Sequence, residues 1–261
     1  MHILLTNDDS HTSPLFRFAI DIIKTLGEVT IVVPNEEQSW TGKSMSRFQP
    51  LIPSRVQLQN DVAHGVNGTP ADCVNLGIHH LCEQRPDLVV SGINMGVNAG
   101  LGFFFASGTI GACLEANIAG IPAVALSQSL ERTVFQEWLQ YKRMSDGEET
   151  RLRQQTEMLL ARVFQILLAR SDFLHHPVTW NVNLPSNAAA DWRIVPTVLD
   201  HTMYGSCFKL DGEQFRHAVE LSQPDPRDHA DSTVVRQGQV SMTHIDIRQL
   251  AQTIVHLEHD G

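Results

Sequence analysis

Short apolar runs alternate with amphipathic segments in the first part of the chain. Residues 2–6 form an apolar run of strand length, and residues 29–33 form a second run rich in β-branched side chains. Between them, Pro14 opens a segment whose apolar residues recur with helical spacing, and Gly27 ends it. A strand, a helix and a second strand in this order predict a βαβ unit, in which the strands are parallel and the crossover is right-handed.

The same alternation continues to about residue 185. Apolar runs predict three more strands, at residues 88–93, 123–127 and 178–184. Helical spacing predicts three more helices, at residues 70–82, 109–119 and 156–169. We interpret the charged and polar residues 131–154 as a surface excursion that leads into the last of these helices.

Beyond Pro185 the pattern changes to short β-type runs separated by Asp, Pro and Gly, and a helix is predicted near residues 247–257. We therefore predict an α/β fold with two parts. Residues 1–185 form a doubly wound, mostly parallel sheet, and residues 186–261 form a β-rich extension that ends in the C-terminal helix.

Composition and charge exclude several classes of partner. The chain carries 19 Lys and Arg against 29 Asp and Glu, a formal net charge of -10. Nucleic acids and membrane surfaces attract basic patches, so this balance argues against general binding to DNA or to a membrane. No apolar run reaches the roughly 20 residues that span a bilayer. The N-terminus shows no basic leader followed by a long apolar region, so we expect a cytoplasmic protein.

Polar residues just after the predicted strands are the candidates for function, because ligands of an open parallel sheet bind beyond the carboxyl ends of its strands. Asp8 and Asp9 follow the first strand, Ser39 follows the second, and Asn94 follows the strand at 88–93. Two adjacent carboxylates repel each other, and a dication removes that cost. Their oxygen ligands suit Mg²⁺, Mn²⁺ or Ca²⁺, so we predict a divalent-metal site. A helix N-cap with a surface acid is the plainer interpretation of the Asp-Asp pair alone.

A second candidate is the tripeptide Ser107-Gly108-Thr109, which directly precedes a helical run. Free backbone N–H groups at the start of a helix bind phosphate, although an ordinary N-cap would leave the same pattern. A metal site beside a phosphate site predicts a metal-dependent phosphomonoesterase. Other phosphate-binding motifs are absent. The first βα turn has no GxGxxG, and Glu37 stands where a P-loop ending in Gly42-Lys43-Ser44 would need its first glycine.

Several short motifs occur together and in a fixed order. They are ILLTNDD at the N-terminus, Ser39, GTPADCVNLG at 68–77, SGINMGVN at 91–98, SGT at 107–109, NVNLP at 181–185 and QGQVSMTHIDI at 237–247. Each is weak alone, but as a set they resemble the SurE survival-protein family. The resemblance runs from residue 1 to about residue 247.

The resemblance implies a 5′-nucleotidase that hydrolyses nucleoside 5′-monophosphates on a Rossmann-like core. It also implies one divalent cation per subunit, with Asp8, Asp9, Ser39 and Asn94 as metal ligands. Asn98 and residues 107–109 would face the phosphate. Members form dimers or tetramers, and here residues 200–245 would be the arm that reaches a partner subunit. Some members also act on 3′-nucleotides or short polyphosphates.

In the mechanism that we predict, Asp8 holds the metal and orients the attacking water, while Asn98, Ser107 and Thr109 donate hydrogen bonds to the phosphate oxygens. Direct attack by Asp8 is the alternative mechanism. A non-catalytic nucleotide or metal sensor that uses the same pocket is the alternative function.

The chain departs from the family pattern at four places. Ser10 and Trp40 stand where the family has glycine, Ala106 stands where a tyrosine is common, and residues 131–154 form a longer insertion. If residue 10 needs a positive φ, serine would cost about 1 kcal/mol there. The ligand set is unaffected, so these departures bear on the shape of the pocket and on base preference. The departures at Ser10, Trp40 and Ala106 are also the support for the sensor.

Overall fold

The structure is a computed structural model that describes residues 1–58, 60–201, 204–220, 225–250 and 252. Within these residues the strands are β1 (His2–Thr6), β2 (Glu28–Pro34), β3 (Pro53–Leu58), β4 (Asp61–Val66), β5 (Leu88–Met95), β6 (Ala123–Gln128), β7 (Thr179–Leu184), β8 (Ile194–Thr197), β9 (Phe208–Asp211), β10 (Gln214–His217) and β11 (Val240–Ile245). The α-helices are α1 (Pro14–Ile23), α2 (Pro70–Leu76), α3 (Leu101–Ala106), α4 (Gly108–Ile118), α5 (Arg132–Tyr141), α6 (Asp146–Leu168) and α7 (Asp231–Arg236).

One nine-stranded sheet, in the order β3-β4-β2-β1-β5-β6-β7-β11-β8, forms the centre of the fold. Neighbouring strands from β4 to β7 are parallel, whereas β3 runs antiparallel to β4 and β11 runs antiparallel to β7. The chain first adds β2 on one side of β1 and later returns to add β5 on the other side. The carboxyl ends of β1 and β5 therefore meet at the switch point of the sheet, where α/β proteins bind ligands.

Helices cover both faces of this sheet. Ile3 and Leu5 of β1 belong to a core cluster that they share with side chains of α1 and α6. Leu4, which lies between them, belongs to a second cluster shared with α2 and α4. All three side chains are fully buried, because successive side chains of a strand point to opposite faces and both faces are covered. The predicted α/β class with a mostly parallel sheet is confirmed.

The five strands predicted in residues 1–185 all form, as β1, β2, β5, β6 and β7. The β3–β4 hairpin and the helices α3 and α5 have no counterpart in the prediction. β3 is mostly exposed, so its sequence lacks the apolar run by which the other strands are recognised. The helix predicted at 70–82 is split into α2 and a π-helical turn, Gly77–Leu81.

The insertion at 131–154, interpreted as a surface excursion, is mostly exposed and mostly helical. It contains all of α5 and the first turns of α6, which begins at Asp146, well before the predicted start at residue 156. The Ser145 hydroxyl accepts the Glu148 N–H at 3.4 Å as an N-cap, and acidic residues in the first turn favour the helix start. Val134, Phe135 and Trp138 of α5 recur at helical spacing and pack on the core, and the prediction missed this pattern among the charged residues around it.

The C-terminal part contributes to the same sheet. β8 and β11 extend the main sheet beyond β7, whereas β9 and β10 form a separate two-stranded hairpin. The division at residue 185 stays a prediction. Of the predicted C-terminal helix, residues Ile247–Gln249 form a 3₁₀ turn, and residues 251 and 253–257 lie outside the described residues. None of the helices in the described ranges combines the length and apolar character needed to cross a membrane.

Candidate active site

The loop after β1 starts at the switch point and carries the acidic pair. The Asn7 side-chain amide donates to the carbonyl oxygen of Ser10 at 3.0 Å, which closes the loop into a tight turn. Ser10 has a φ of 64°, so the condition for its predicted cost of about 1 kcal/mol is met. The turn directs Asp8 into the protein, where it is 3% exposed, and leaves Asp9 partly buried.

Asp8 is bound by the N-terminus of α4. The Thr109 hydroxyl donates to Oδ1 of Asp8 at 2.6 Å, and the Thr109 backbone N–H donates to Oδ2 at 3.1 Å. Ser107 is the N-cap of α4, so the positive end of the helix dipole lies beside the carboxylate. Gly108 permits this close approach, because a Cβ there would lie 3.0 Å from the Cβ of Asp8. In this arrangement Thr109, predicted to face a phosphate, donates to Asp8.

Burial raises the pKa of both carboxyl groups. For Asp8, loss of solvation raises the pKa, and the hydrogen bonds from Thr109 oppose that rise. For Asp9, burial raises the pKa well above its ordinary range, and the charge of Asp8 raises it further. The Met95 N–H, which donates to Oδ2 of Asp9 at 2.7 Å, lowers it in part. In the part of the chain that the structure describes, neither carboxylate forms an ion pair with Lys or Arg.

A cavity of about 310 Å³ lies at the switch point. It brings together five of the predicted site residues: Asp8, Ser39, Asn94, Asn98 and Ser107. Asp9 borders a neighbouring cavity of about 530 Å³ that also reaches Ser39 and Met95. The two carboxylates therefore line two different cavities, and Ser39 lines both of them.

Two polar side chains near the site have partners within the protein. The Ser39 hydroxyl donates to Oε1 of Glu37 at 2.8 Å, and Lys142 lies 3.7 Å from the other oxygen of Glu37. Lys43, which belongs to the rejected P-loop pattern, forms a salt bridge with Glu115 at 2.6 Å. Glu115 is 5% exposed and also accepts a hydrogen bond from the Asn75 amide at 2.8 Å, so Lys43 is paired with a buried carboxylate.

Asn98 is fixed from three directions by buried polar groups. Its backbone N–H donates to Oδ1 of Asn183 at 2.7 Å, and its carbonyl oxygen accepts from the Asn181 amide at 2.8 Å. Its own side-chain amide donates to the Ser127 hydroxyl at 2.8 Å. Asn181 and Asn183 are two residues apart in β7, so both side chains point to the same face.

Asn181 and Asn183 belong to the NVNLP motif, to which the sequence assigned no role. The signal available in the sequence was the pair of polar asparagines in a predicted strand, and both are fully buried. Buried polar side chains are almost always hydrogen-bonded, and here their partner is the backbone of a predicted site residue.

The remaining wall of the 310 Å³ cavity is apolar and includes the positions that depart from the family pattern. Trp40, Phe103, Ala106 and Phe135 line it. Phe135 comes from α5, so the insertion takes part in shaping the site. Trp40 has a φ of 63°, in the left-handed region where a non-glycine residue costs about 1–2 kcal/mol. Both positions where glycine is replaced, 10 and 40, are therefore left-handed.

The oxygen atoms around the switch point suit a hard divalent cation. Asp8 and Asp9 offer carboxylates, Ser39 a hydroxyl and Asn94 an amide oxygen, which are the groups that Mg²⁺, Mn²⁺ and Ca²⁺ prefer. Among the described residues, no group of three or more His, Cys, Asp or Glu side chains is placed to hold a metal. A cation here would thus combine two carboxylates with uncharged oxygens. It would also offset the repulsion that raises the pKa of Asp9.

Known proteins share both the sequence pattern and the fold. The 5′-nucleotidase SurE of Methanocella arvoryzae is 34% identical over 260 residues, which cover 97% of this chain and 95% of that protein. The 5′-nucleotidase SurE of Pelobacter propionicus is 46% identical over 127 residues, about half of each chain. The crystal structure of the SurE protein from Aquifex aeolicus superposes with a TM-score of 0.71 at 25% identity, covering 95% of this chain and 94% of that one.

The family model for survival protein SurE matches residues 3–205. This range contains every predicted site residue, from Asp8 to Thr109, and the asparagines of β7 that hold Asn98. It ends before the β9–β10 hairpin. With the family model covering most of its length, this chain belongs to the SurE family.

Proposed function

We propose that this protein is a metal-dependent phosphomonoesterase that hydrolyses nucleoside 5′-monophosphates to nucleoside and phosphate. The observation that carries the proposal is the buried carboxylate of Asp8, which shares one cavity with Ser39, Asn94, Asn98 and the N-cap of α4. Its full-length relative from Methanocella arvoryzae is named a 5′-nucleotidase, which supports the same activity. Activity on 3′-nucleotides or short polyphosphates is a further expectation of the family resemblance.

We propose Asp8, Asp9, Ser39 and Asn94 as the ligands of one divalent cation per subunit. When bound, such a cation supplies a Lewis acid that withdraws charge from a phosphate oxygen. The Ser39 hydroxyl donates a hydrogen bond to Glu37. It can keep this bond while its oxygen binds the cation, because a hydroxyl can donate its hydrogen and offer a lone pair at the same time.

The chain's own groups have distinct parts in the proposed reaction. Asp8 orients the attacking water and, once its carboxyl is ionised, accepts a hydrogen bond from it. Asn98 has one amide hydrogen on Ser127, which leaves the second free to donate to a phosphate oxygen. The Ser107 hydroxyl oxygen accepts the Ile110 N–H, so its own hydrogen is free to donate as well. Fixed donors of this kind stabilise the charge that develops on the phosphate.

Thr109 acts on the reaction only through Asp8. Both of its donors hold Asp8, so it positions the carboxylate rather than the phosphate. Direct attack by Asp8 on phosphorus is the alternative chemistry. Trapping with a fluoroberyllate distinguishes the two, since only direct attack passes through an aspartyl phosphate.

Phosphate release from a panel of nucleoside 5′-monophosphates tests the proposal. We expect turnover with Mg²⁺ or Mn²⁺, loss of turnover with EDTA, recovery on adding metal, and loss in Asp9→Asn. Saturable nucleotide binding by the folded protein without any phosphate release would refute the enzyme and favour the sensor.

We also propose that the chain forms homodimers or tetramers through the β9–β10 hairpin. Every residue of both strands is exposed, including Phe208 at 56%, Leu210 at 66% and Phe215 at 71%. Apolar patches of this kind are typical of contact surfaces. Light scattering on the wild type and on Phe215→Glu tests this: we expect a dimer or larger that the variant weakens, and a wild-type monomer would contradict it.

A further inference from the structure

The cavity at the switch point is lined by both polar groups and aromatic rings. Asp8, Asn98 and Ser107 contribute polar groups, and Trp40 and Phe103 contribute rings to the same cavity. The two rings meet edge to face, with centroids 5.7 Å apart and planes inclined at 65°. A phosphate ester whose phosphate is bound by the polar groups would therefore share this cavity with two aromatic rings.

Trp40 is held in place by further rings. The Tyr204 ring lies 5.6 Å from it and the His217 ring 4.6 Å from it, both in edge contacts. Tyr204 also contacts Phe103, at 5.9 Å. Despite these neighbours, Trp40 stays 39% exposed, because edge contacts leave part of its surface uncovered. The ring is thus fixed but accessible, as a stacking surface requires.

Trp40 and Phe103 lie close in sequence to proposed site residues. Trp40 directly follows Ser39, a proposed metal ligand, and Phe103 lies in α3, which joins Asn98 to Ser107. Trp40 also keeps a left-handed backbone, φ 63°, where glycine would be unstrained. Residues held in such conformations cluster at sites that bind ligands, since the surrounding structure must support the strain.

We propose that Trp40 and Phe103 form a stacking surface for the base of the substrate, so that this chain favours base-bearing nucleotides over the bare sugar phosphate. The inference rests on the proposed phosphatase function and names the feature of the substrate that the two rings recognise. Stacking acts on any base because every base has a π-face, and the larger face of a purine gives it the greater contact. Purine nucleotides are therefore the preferred class.

A purely structural role for Trp40 makes a different prediction. If the ring served only to hold the segment of Tyr204 and His217, its loss would affect every phosphate ester alike. The stacking surface instead affects esters that carry a base. Adenosine 5′-monophosphate and ribose 5-phosphate form a matched pair, because they share the sugar and the phosphate and differ in the base.

The experiment measures kcat/KM for both compounds in the wild type, Trp40→Leu and Trp40→Phe. We expect the wild type to favour the nucleotide by roughly tenfold or more, as one stacked base contributes. Trp40→Leu should remove most of that preference, and Trp40→Phe, which keeps a ring, should restore part of it. Phe105→Leu is the control, since Phe105 is 58% exposed and packs on Phe104 outside the cavity wall; its ratio should match the wild type.

Two results would overturn the inference while leaving the phosphatase intact. One is equal kcat/KM for the two compounds in the wild type, and the other is an unchanged ratio in Trp40→Leu. Should Trp40→Leu fail to fold, the wild-type ratio and Trp40→Phe still decide the question. Release of phosphate from neither compound would instead overturn the proposed function and the stacking surface with it.

Discussion

The hydrogen bond between Thr109 and Asp8 offers a sharp test of how the site is positioned. Thr109→Val keeps the shape of a fully buried side chain and the backbone N–H bond to Oδ2. It removes only the hydroxyl that lies 2.6 Å from Oδ1. That length is typical of a hydroxyl donating to a charged carboxylate, the stronger class of hydrogen bond.

The expected effect of Thr109→Val follows from the strength of a hydrogen bond to a charged carboxylate. A hydrogen bond to a charged group contributes about 1.5–3 kcal/mol, which corresponds to roughly 10- to 150-fold in an equilibrium or rate constant. Loss of a bond that orients a metal ligand costs about 10- to 100-fold in metal affinity or activity. We therefore expect Thr109→Val to weaken Mn²⁺ activation or kcat/KM by at least tenfold.

Thr109→Ser is the matched control, because it keeps the hydroxyl and loses one methyl group. Phosphate release is measured across a range of Mn²⁺ concentrations for both variants, which separates metal affinity from turnover. The Mn²⁺ activation and kcat/KM of Thr109→Ser should stay within about threefold of the wild-type values. If Thr109→Val does so too, the hydroxyl does not position Asp8, and equal losses in both variants would assign the effect to packing.

Three further predictions follow from the same geometry. Ser10→Gly should be more stable than Ser10→Ala by about 1 kcal/mol in urea unfolding, since both lose the hydroxyl and only glycine is unstrained at φ 64°; equal stabilities would refute the strain. In EDTA, the raised pKa of Asp9 should make the protein lose stability as the pH rises above the ordinary value of 3.8, because the unfolded chain then releases a proton that the folded chain keeps. Asp9→Asn should reduce that loss and raise the melting temperature at neutral pH. Asn183→Ala should cost roughly 1–3 kcal/mol of stability by leaving the Asn98 N–H unpaired and should lower kcat/KM, whereas Ser241→Ala, opposite Asn183 in the sheet, should do neither.

Local sequence patterns predicted the parts of the fold that are locally determined. β1 and its neighbours in the sheet are continuous apolar runs because both faces of the sheet are covered. The acidic pair directly follows the first of these runs, so a parallel sheet alone predicts that it lies at the edge where ligands bind. β3 is mostly exposed, so no apolar run marks it. α5 does carry apolar residues at helical spacing, and Val134, Phe135 and Trp138 pack on the core, but they lie among charged residues, and neither element was predicted.

Contacts across long stretches of chain were beyond the reach of the sequence pattern. The tripeptide at 107–109 was recognisable as the start of a helix, but its attachment to Asp8 joins residues about a hundred positions apart. The bond from Asn98 to Asn183 is of the same kind. In both cases the motif was visible, and its role required knowing which strands and helices are neighbours in space.

Counting the Mn²⁺ ions bound by the purified protein tests the central claim most directly, namely that the pair after β1 holds one cation. Free Mn²⁺ is followed by electron paramagnetic resonance during a titration of metal-free wild type, Asp8→Asn and Asp9→Asn. We expect one tight site per chain in the wild type and loss of that site in both variants, with Asp9→Asn still folded. A wild type without a tight site, or a site that survives in both variants, would contradict the account.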